Sequence, residues 1–339
     1  GAADIEPGQE MEFIASLMQD PNSFMYMIGK AYPPAILATL GLTAGGLAQG
    51  AGALAHLALN GAALGGVVLA GKRLFMDGYY NKSASASKKN VKPLEEAVKT
   101  HSVYQSVYLL DQRLVLRTPV YLFNCVGTIV IIPVLLVLLP LFTGEMDLGM
   151  MRLLYLQFYD YFPIGVGAAF ILMAALNPTQ STTFSREGQA SWLQGVIPLK
   201  KSDLFIGKLI FPLVLQLAVI IVLAIAFALL FLMSPLSIAG GLLIGIFGSL
   251  PVIAFGLYID RLRPKLNWDN PQKAVKQNLN VIFNMLAGLV WVVLTCVGGG
   301  ALIHFFDFSP LWITLIIVVV SLIAFIGLYQ MFLKINEAK

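Results

Sequence analysis

Long runs without charged residues constrain the fold of this chain more than any motif does. The hydrocarbon core of a bilayer is roughly 30 Å thick, and about 20 residues of helix cross it. Because the runs are apolar on every side and do not alternate, they predict helical spans and not the strands of a closed barrel. The runs cover residues 31–71, 118–144, 161–185, 209–259, 277–306 and 308–333.

These runs predict an all-α integral membrane protein, a polytopic bundle with about seven transmembrane helices. Only 12% of the 339 residues are charged and 58% are hydrophobic, so a soluble domain of this size could not solvate its surface. The expected transmembrane domain covers residues 51–339. Its predicted spans are about 51–72, 118–142, 153–176, 207–233, 237–258, 280–304 and 310–333.

The basic residues predict which side of the membrane each connection occupies. Segments 72–117, 177–208, 259–277 and 334–339 hold 20 of the 22 lysines and arginines. The positive-inside rule therefore predicts cytoplasmic loops at 73–117, 177–206 and 259–279, an external N-terminus and a cytoplasmic C-terminus. Residues 1–50 are then an extracellular acidic segment, in which 33–49 is expected to be a re-entrant or interfacial piece. The external start at Gly1 also suggests that further helices precede it.

No pattern of residues predicts chemistry within the chain. Gly66, Gly71 and Lys72 have the spacing of a phosphate-binding loop, but Arg73 replaces the hydroxyl residue that would hold magnesium. No catalytic triad and no metal-ligand spacing of cysteine and histidine occurs, so we expect no catalytic, cofactor or metal site and no enzyme activity. The basic residues behind the net charge of +4 lie in the loops between the spans, as is usual in a membrane protein. The charge therefore does not indicate a nucleic-acid partner. Asp160 is the only carboxylate in a predicted span, which makes ion-coupled transport a weak interpretation.

Small residues in segment 41–71 predict close helix contacts. The segment contains nine Gly and nine Ala, and small residues one turn apart let helix backbones approach in lipid. The contact could be internal, or it could involve further membrane helices or a second copy of the chain. The spaced pairs are Gly41 with Gly45, Gly46 with Gly50, and Gly61 with Gly65.

Residues 177–206 form a large predicted loop that follows the third predicted span. They have the pattern of a short helix on the cytoplasmic face. Ser185 is expected to cap it and Pro198 to end it. The helix would present Arg186, Glu187 and Trp192, either to lipid headgroups or to a soluble motor protein. The residues that carry the pattern are Ser185, Arg186, Glu187, Gly188, Trp192, Pro198, Lys200 and Lys201, the last two at the lipid surface.

This loop resembles that of bacterial type-2 ATP-binding-cassette (ABC) exporter permeases. Two other blocks are similar to the same family in order and spacing, Arg117–Asn124 and Asp260–Asn280. In the second block, which belongs to the second large cytoplasmic loop, the matching residues are Asp260, Arg263, Pro264, Trp268 and Lys276. The chain departs from the family at Gln194–Gly195, where a basic residue is expected, and at Pro271, where an acidic residue is common.

The resemblance implies a permease subunit in the plasma membrane of a bacterium, typically a Gram-positive one, that lacks its N-terminal portion. A separate ATPase, in two copies, would hold ATP and magnesium and contact the helix at about 185–196. The apolar spans favour export of a hydrophobic or amphipathic substrate, such as a peptide or a lipid-like molecule. Two alternatives remain open: a regulatory or sensing protein associated with an ATPase, and an ATP-independent carrier or channel.

Overall fold

The helices of the computed structural model define its architecture. The model describes residues 33–43, 45–84, 101–127, 130–131, 134, 148–197 and 199–335, and every regular element among them is a helix. The prediction of an all-α polytopic membrane protein is confirmed. The helices of ten or more residues are α1 Pro33–Thr43, α2 Gly46–Ala84, α3 Val103–Arg117, α4 Leu148–Gln157, α5 Phe162–Leu176, α6 Lys201–Phe231, α7 Pro235–Leu262, α8 Leu279–Phe306 and α9 Pro310–Lys334.

Six helical segments of the described residues are long and apolar enough to cross a membrane. They overlap six of the seven predicted spans. The other, 118–142, lies partly outside the described residues, which here include the short helix Pro119–Tyr121 and a π-helical turn, Leu122–Gly127. The six segments are Gly46–Lys72, Phe162–Trp192, Lys201–Phe231, Pro235–Leu262, Pro271–Phe306 and Pro310–Lys334.

The predicted span 153–176 is divided by a turn. Helix α4 ends at Gln157, residues 158–161 form the turn, and α5 begins at Phe162. Proline is favoured in the first turn of a helix because its missing N–H would have no partner there, and Pro163 occupies that place in α5. Asp160, expected inside the span, therefore lies in the turn and is exposed.

The chain divides into two compact units, and the described residues 33–84 belong to the first. Helix α1 has 11 residues, or roughly 16 Å of helix, which is too short to cross a bilayer by itself. Helix α2 has 39 residues and continues beyond the predicted span into the predicted loop 73–117. A Cβ atom on Gly41 would lie 2.9 Å from the Cα atom of Ala53, so α1 and α2 contact each other through this glycine.

The other spaced glycines of this segment have open surroundings. A Cβ atom on Gly45, Gly46 or Gly50 would meet no atom within 4 Å, and the same holds for Gly61 and Gly65. Among the described residues, internal packing therefore accounts for Gly41 alone of the six glycines in the predicted contact pairs. A contact of the other five with further helices or a second copy stays a prediction.

The second unit contains α3 to α9, and α5 lies among its neighbours α6, α7 and α8. Glycines allow these close contacts. A Cβ atom on Gly288 of α8 would lie 2.3 Å from the Cβ atom of Ala175 in α5, and one on Gly167 would lie 2.3 Å from Ile244 in α7. The Gln216 amide of α6 donates to the carbonyl oxygen of Phe170 over 2.8 Å. Small residues and interhelical hydrogen bonds thus hold the bundle together, as expected in lipid.

Candidate functional site

The loop between α5 and α6 contains the predicted short helix, but with a break in it. Residues Ser185–Trp192 form a 3₁₀ helix that continues as the α-helical turn Leu193–Val196. We call residues 185–196 the loop helix. Its backbone breaks at Gly188, where φ is 54° and ψ is −130°, a conformation that favours glycine strongly. Pro198, predicted to end the helix, lies outside the described residues.

A buried ion-pair network anchors the start of the loop helix. The Arg186 guanidinium donates to both carboxylate oxygens of Asp111 in α3, over 2.9 and 3.1 Å. Its other terminal nitrogen donates to the carbonyl oxygen of Thr179 over 2.6 Å and to the hydroxyl of Thr182 over 2.7 Å. Both side chains of the ion pair have no exposed surface. These charge-assisted hydrogen bonds, in which one terminal nitrogen binds both oxygens of Asp111, fix the loop helix against α3.

A second buried cation, Lys208, completes the network. Its ammonium group lies 3.5 Å from an Asp111 oxygen and also pairs with Glu187. Helix α6 reaches this position because Gly207 allows close contact with α3, where a Cβ atom would lie 2.6 Å from Val107. Two acidic and two basic side chains therefore balance in charge within the protein, as buried charges generally must.

The pKa of Asp111 shows which effect dominates in this network. Burial by itself raises the pKa of the carboxyl group, but the positive charges of Arg186 and Lys208 and the hydrogen bonds from Arg186 and Thr183 outweigh it. The pKa is lowered below its usual value of 3.8. Asp111 is therefore ionised at neutral pH and remains the counterion of both cations.

Asp260, at the end of α7, binds the same loop from another side. One oxygen accepts hydrogen bonds from the backbone N–H groups of Phe184 and Ser185, over 2.7 and 3.0 Å. The other accepts from the Ser185 hydroxyl and, over 2.9 Å, from the Asn280 amide of α8. Asp260 is fully buried. A single carboxylate thus joins the loop helix to α7 and α8.

The second predicted loop, 259–279, packs directly on the first. The Trp268 indole N–H donates to the carbonyl oxygen of Ser185 over 2.9 Å, and the Lys265 backbone N–H donates to the Ser185 hydroxyl over 2.9 Å. A Cβ atom on Gly188 would lie 2.6 Å from Cζ2 of Trp268. The two loops therefore form one packed body, and Gly188 leaves the space that the Trp268 ring occupies.

The prediction that the loop helix presents Arg186 is wrong. Arg186 is 1% exposed, because its guanidinium pairs with Asp111 inside the protein, and the Glu187 side chain is 7% exposed. The role predicted for Ser185 as the helix cap is also wrong. Phe184 occupies the cap position, and the Ser185 hydroxyl bonds to Asp260.

The far end of the loop helix is exposed, as predicted for Trp192. The Trp192 side chain is 63% exposed, and Leu193 and Val196 are exposed as well. Lys200 is exposed, whereas the Lys201 ammonium donates to the carbonyl oxygen of Leu333 over 3.2 Å. Helix α6 begins at Lys201. The predicted coupling residues therefore separate into a buried group and an exposed group.

The residues singled out in the second loop also fall into a buried group and an exposed group. Asp260 is buried and Trp268 is partly buried against Ser185, whereas Arg263, Pro264 and Lys276 are exposed. The structure brings Asp260 and Trp268 together with the loop helix. The other three lie on the surface of the loop.

Sequence reasoning missed two central residues, Asp111 and Lys208. Asp111 lies four residues from both Val107 and Val115, and all three are buried on one face of α3. A carboxylate at that spacing between apolar residues indicates a side chain that points inward. Lys208 lies about two turns inside α6, with apolar residues on both sides of it, which is typical of a buried, paired cation.

Comparison with known proteins gives a family and no further relative. A family model described as "Membrane protein of 12 TMs" matches residues 11–331, nearly the whole chain. That description names neither a substrate nor an ATPase. No curated protein and no solved structure matches the chain. TMs are transmembrane segments. The chain belongs to this family of 12-TM membrane proteins and is itself an integral multi-pass membrane protein.

Proposed function

We propose that the chain is the membrane-spanning permease of an ATP-driven transporter of the ABC exporter type, in a bacterial plasma membrane. A separate ATPase, carrying ATP and magnesium, would bind the exposed end of the loop helix on the cytoplasmic face. Nucleotide-dependent motion of two such subunits would then shift the helices between two arrangements. A partner can shift such an equilibrium only by contacting the two arrangements differently.

The observation that carries the proposal is the rigid connection between the loop helix and the bundle. Hydrogen bonds and ion pairs from residues 179–188 reach α3, α6 and α7, and the Asp260 carboxylate of α7 also accepts from Asn280 of α8. Burying charges costs free energy, so such a network adds little net stability compared with apolar packing, while it fixes orientation. A displacement of the loop helix would therefore reach four helices at once, which supports a role in transmitting motion.

The exposed end of the same segment supports a protein partner. Trp192 is 63% exposed and Val196 is 68% exposed, next to the exposed Lys200. Tryptophan is enriched at the energetic centres of protein interfaces, because it contributes a large apolar surface. The distribution of basic residues predicts a cytoplasmic position for this end, where an ATPase would be available.

The apolar surface of the spans bears on the substrate. The spans expose leucine, isoleucine, valine and phenylalanine over most of their length. This favours a hydrophobic or amphipathic substrate, peptide or lipid-like, and the resemblance favours export.

Replacing Trp192 by alanine should weaken ATPase binding by about 30-fold and reduce the ATPase that co-purifies with the chain, because truncating a central aromatic residue costs about 2 kcal/mol of binding energy. The measurement is affinity purification from native membranes in mild detergent, with identification of a subunit that contains a phosphate-binding loop and hydrolyses ATP. The thermal unfolding midpoint of the permease should not change.

Trp312→Ala is the matched control, because Trp312 is 59% exposed but lies at the start of α9, away from the loops. Undiminished ATPase recovery with Trp192→Ala would contradict the proposed contact. Absence of any ATPase from the wild-type preparation would favour an ATP-independent carrier. An ATPase that binds without substrate movement in sealed vesicles would favour a regulatory role.

A further inference from the structure

An apolar cavity of about 570 Å³ opens between α4, α5 and α6, far from the ion-pair network. Its volume is within the range of small-molecule sites, roughly 300–1,000 Å³. Its wall is almost entirely aromatic and aliphatic. Among the residues that line it are Phe158, Tyr161, Phe162, Gly165, Phe227 and Phe231.

The cavity lies at the opposite end of α6 from the buried cation. From Lys208 to Leu232, which caps the end of α6, is roughly 36 Å of helix, slightly more than the hydrocarbon core of a bilayer. The ion-pair network and the cavity are therefore close to opposite membrane surfaces. Tyr155, Tyr159 and Tyr161 cluster near the cavity, as tyrosine does at the level of lipid headgroups.

A cation stands at the rim of this cavity. Arg152 donates a hydrogen bond to the carbonyl oxygen of Leu232, and its guanidinium carbon lies 5.4 Å from the centre of the Tyr155 ring. That ring contacts Phe162 edge-on at 5.1 Å, and Phe162 in turn contacts Phe231 at 4.9 Å. Arg152 is one of the two basic residues outside the four basic segments. Its guanidinium has five N–H donors, more than the Leu232 carbonyl can use.

We propose that the cavity binds an acyl chain of an anionic membrane phospholipid and that Arg152 binds its phosphate. The medium around α5 and α6 is lipid, so an open apolar cavity between them is accessible to acyl chains. The positive charge at the rim complements an anionic headgroup, and a guanidinium suits phosphate geometry. This site is independent of the ATPase, because it lies at the other end of the helices that the loop helix contacts.

Gly165→Leu tests the cavity. A Cβ atom on Gly165 would meet no atom within 4 Å, so a leucine there would fill part of the cavity without a clash. The control is Gly298→Leu, which adds the same side chain at an open position on α8, outside the cavity. Each variant is purified with an equimolar mixture of dioleoyl phosphatidylglycerol and dioleoyl phosphatidylcholine, and retained lipid is counted by native mass spectrometry.

We expect the wild type and Gly298→Leu to retain one phosphatidylglycerol molecule, and Gly165→Leu to retain at least 10-fold less. Arg152→Gln should still retain lipid but lose the preference for phosphatidylglycerol. Arg152→Lys should keep that preference. Equal retention by Gly165→Leu and Gly298→Leu would overturn the assignment of the cavity. Equal retention of both lipids by the wild type would overturn the role of Arg152, and retention of detergent alone would overturn the lipid as occupant.

Discussion

Asp111→Asn should lower the free energy of unfolding by about 3–5 kcal/mol, the cost of removing one partner from a buried ion pair. Asparagine has nearly the same shape, so the change removes charge without opening a cavity. Within the described part of the chain, Arg186 would lose its one directly bound carboxylate, and Lys208 would keep Glu187 as its one acidic partner. The unfolding midpoint in detergent, measured by heat or by titration with a denaturing detergent, gives the difference.

Asp269→Asn is the control for this variant. Asp269 pairs with Lys273 on the surface of the second loop, where both side chains are exposed, and exposed pairs contribute little. Its loss should leave the midpoint unchanged. Combining Asp111→Asn with Arg186→Met should cost less than the sum of the two single changes, because the groups act as a pair. Equal midpoints for Asp111→Asn and Asp269→Asn would contradict the buried network.

Gly188→Ala should destabilise the protein by about 2–5 kcal/mol, from backbone strain together with overpacking. The φ of 54° is unfavourable for any residue with a Cβ atom, and that atom would lie 2.6 Å from Trp268. The variant should also loosen the contact between the two loops. Faster proteolysis within 259–279, compared with the wild type, would show that loosening.

The double variant Gly188→Ala with Trp268→Ala separates the two causes. Compared with Gly188→Ala alone, it should regain the stability that is lost through the clash with Trp268. The loss that is due to the backbone conformation should remain. Trp291→Ala combined with Gly188→Ala is the control, because Trp291 bonds to Gly248 in the bundle and does not touch the loop helix. Full stability of Gly188→Ala alone would contradict the conformation found at Gly188.

The spans could be predicted from sequence because each depends on a property of its own residues. A run such as 209–259 must form helix where it crosses the membrane, whatever its neighbours are, because its backbone groups need internal hydrogen bonds there. The turn at residues 158–161 was missed because the polar stretch around Asp160 is short and apolar residues flank it on both sides, so that 153–176 reads as one span. The length of α2 was missed because its last turns contain charged residues that the charge pattern assigns to a loop.

The site was predictable in position but not in orientation. The pattern around Ser185 located a short helix correctly, although Phe184 and not Ser185 occupies the cap position. Whether Arg186 points into the bundle depends on Asp111, 75 residues earlier in the chain, and on Lys208. Such long-range pairing has no local signature. The predicted exposure of Arg186 therefore failed, while that of Trp192 held.

The buried network also determines which residues can test the proposed coupling between the permease and an ATPase. A variant of Arg186 or Glu187 would break ion pairs inside the permease, so loss of a partner could follow from local unfolding. The exposed side chains of the loop helix have no such contacts with the charged network. Val196, which is 68% exposed, is therefore the better probe of what binds there.

The most direct test of the account is photocrosslinking from position 196 in native membranes. A photoreactive amino acid at Val196 should crosslink to a soluble subunit that contains a phosphate-binding loop, and bound nucleotide should change the yield. The same group at Val293, 56% exposed on α8, should give crosslinks to lipid without that subunit. Crosslinks from position 196 to lipid alone, or to another membrane chain, would contradict coupling to an ATPase through the loop helix.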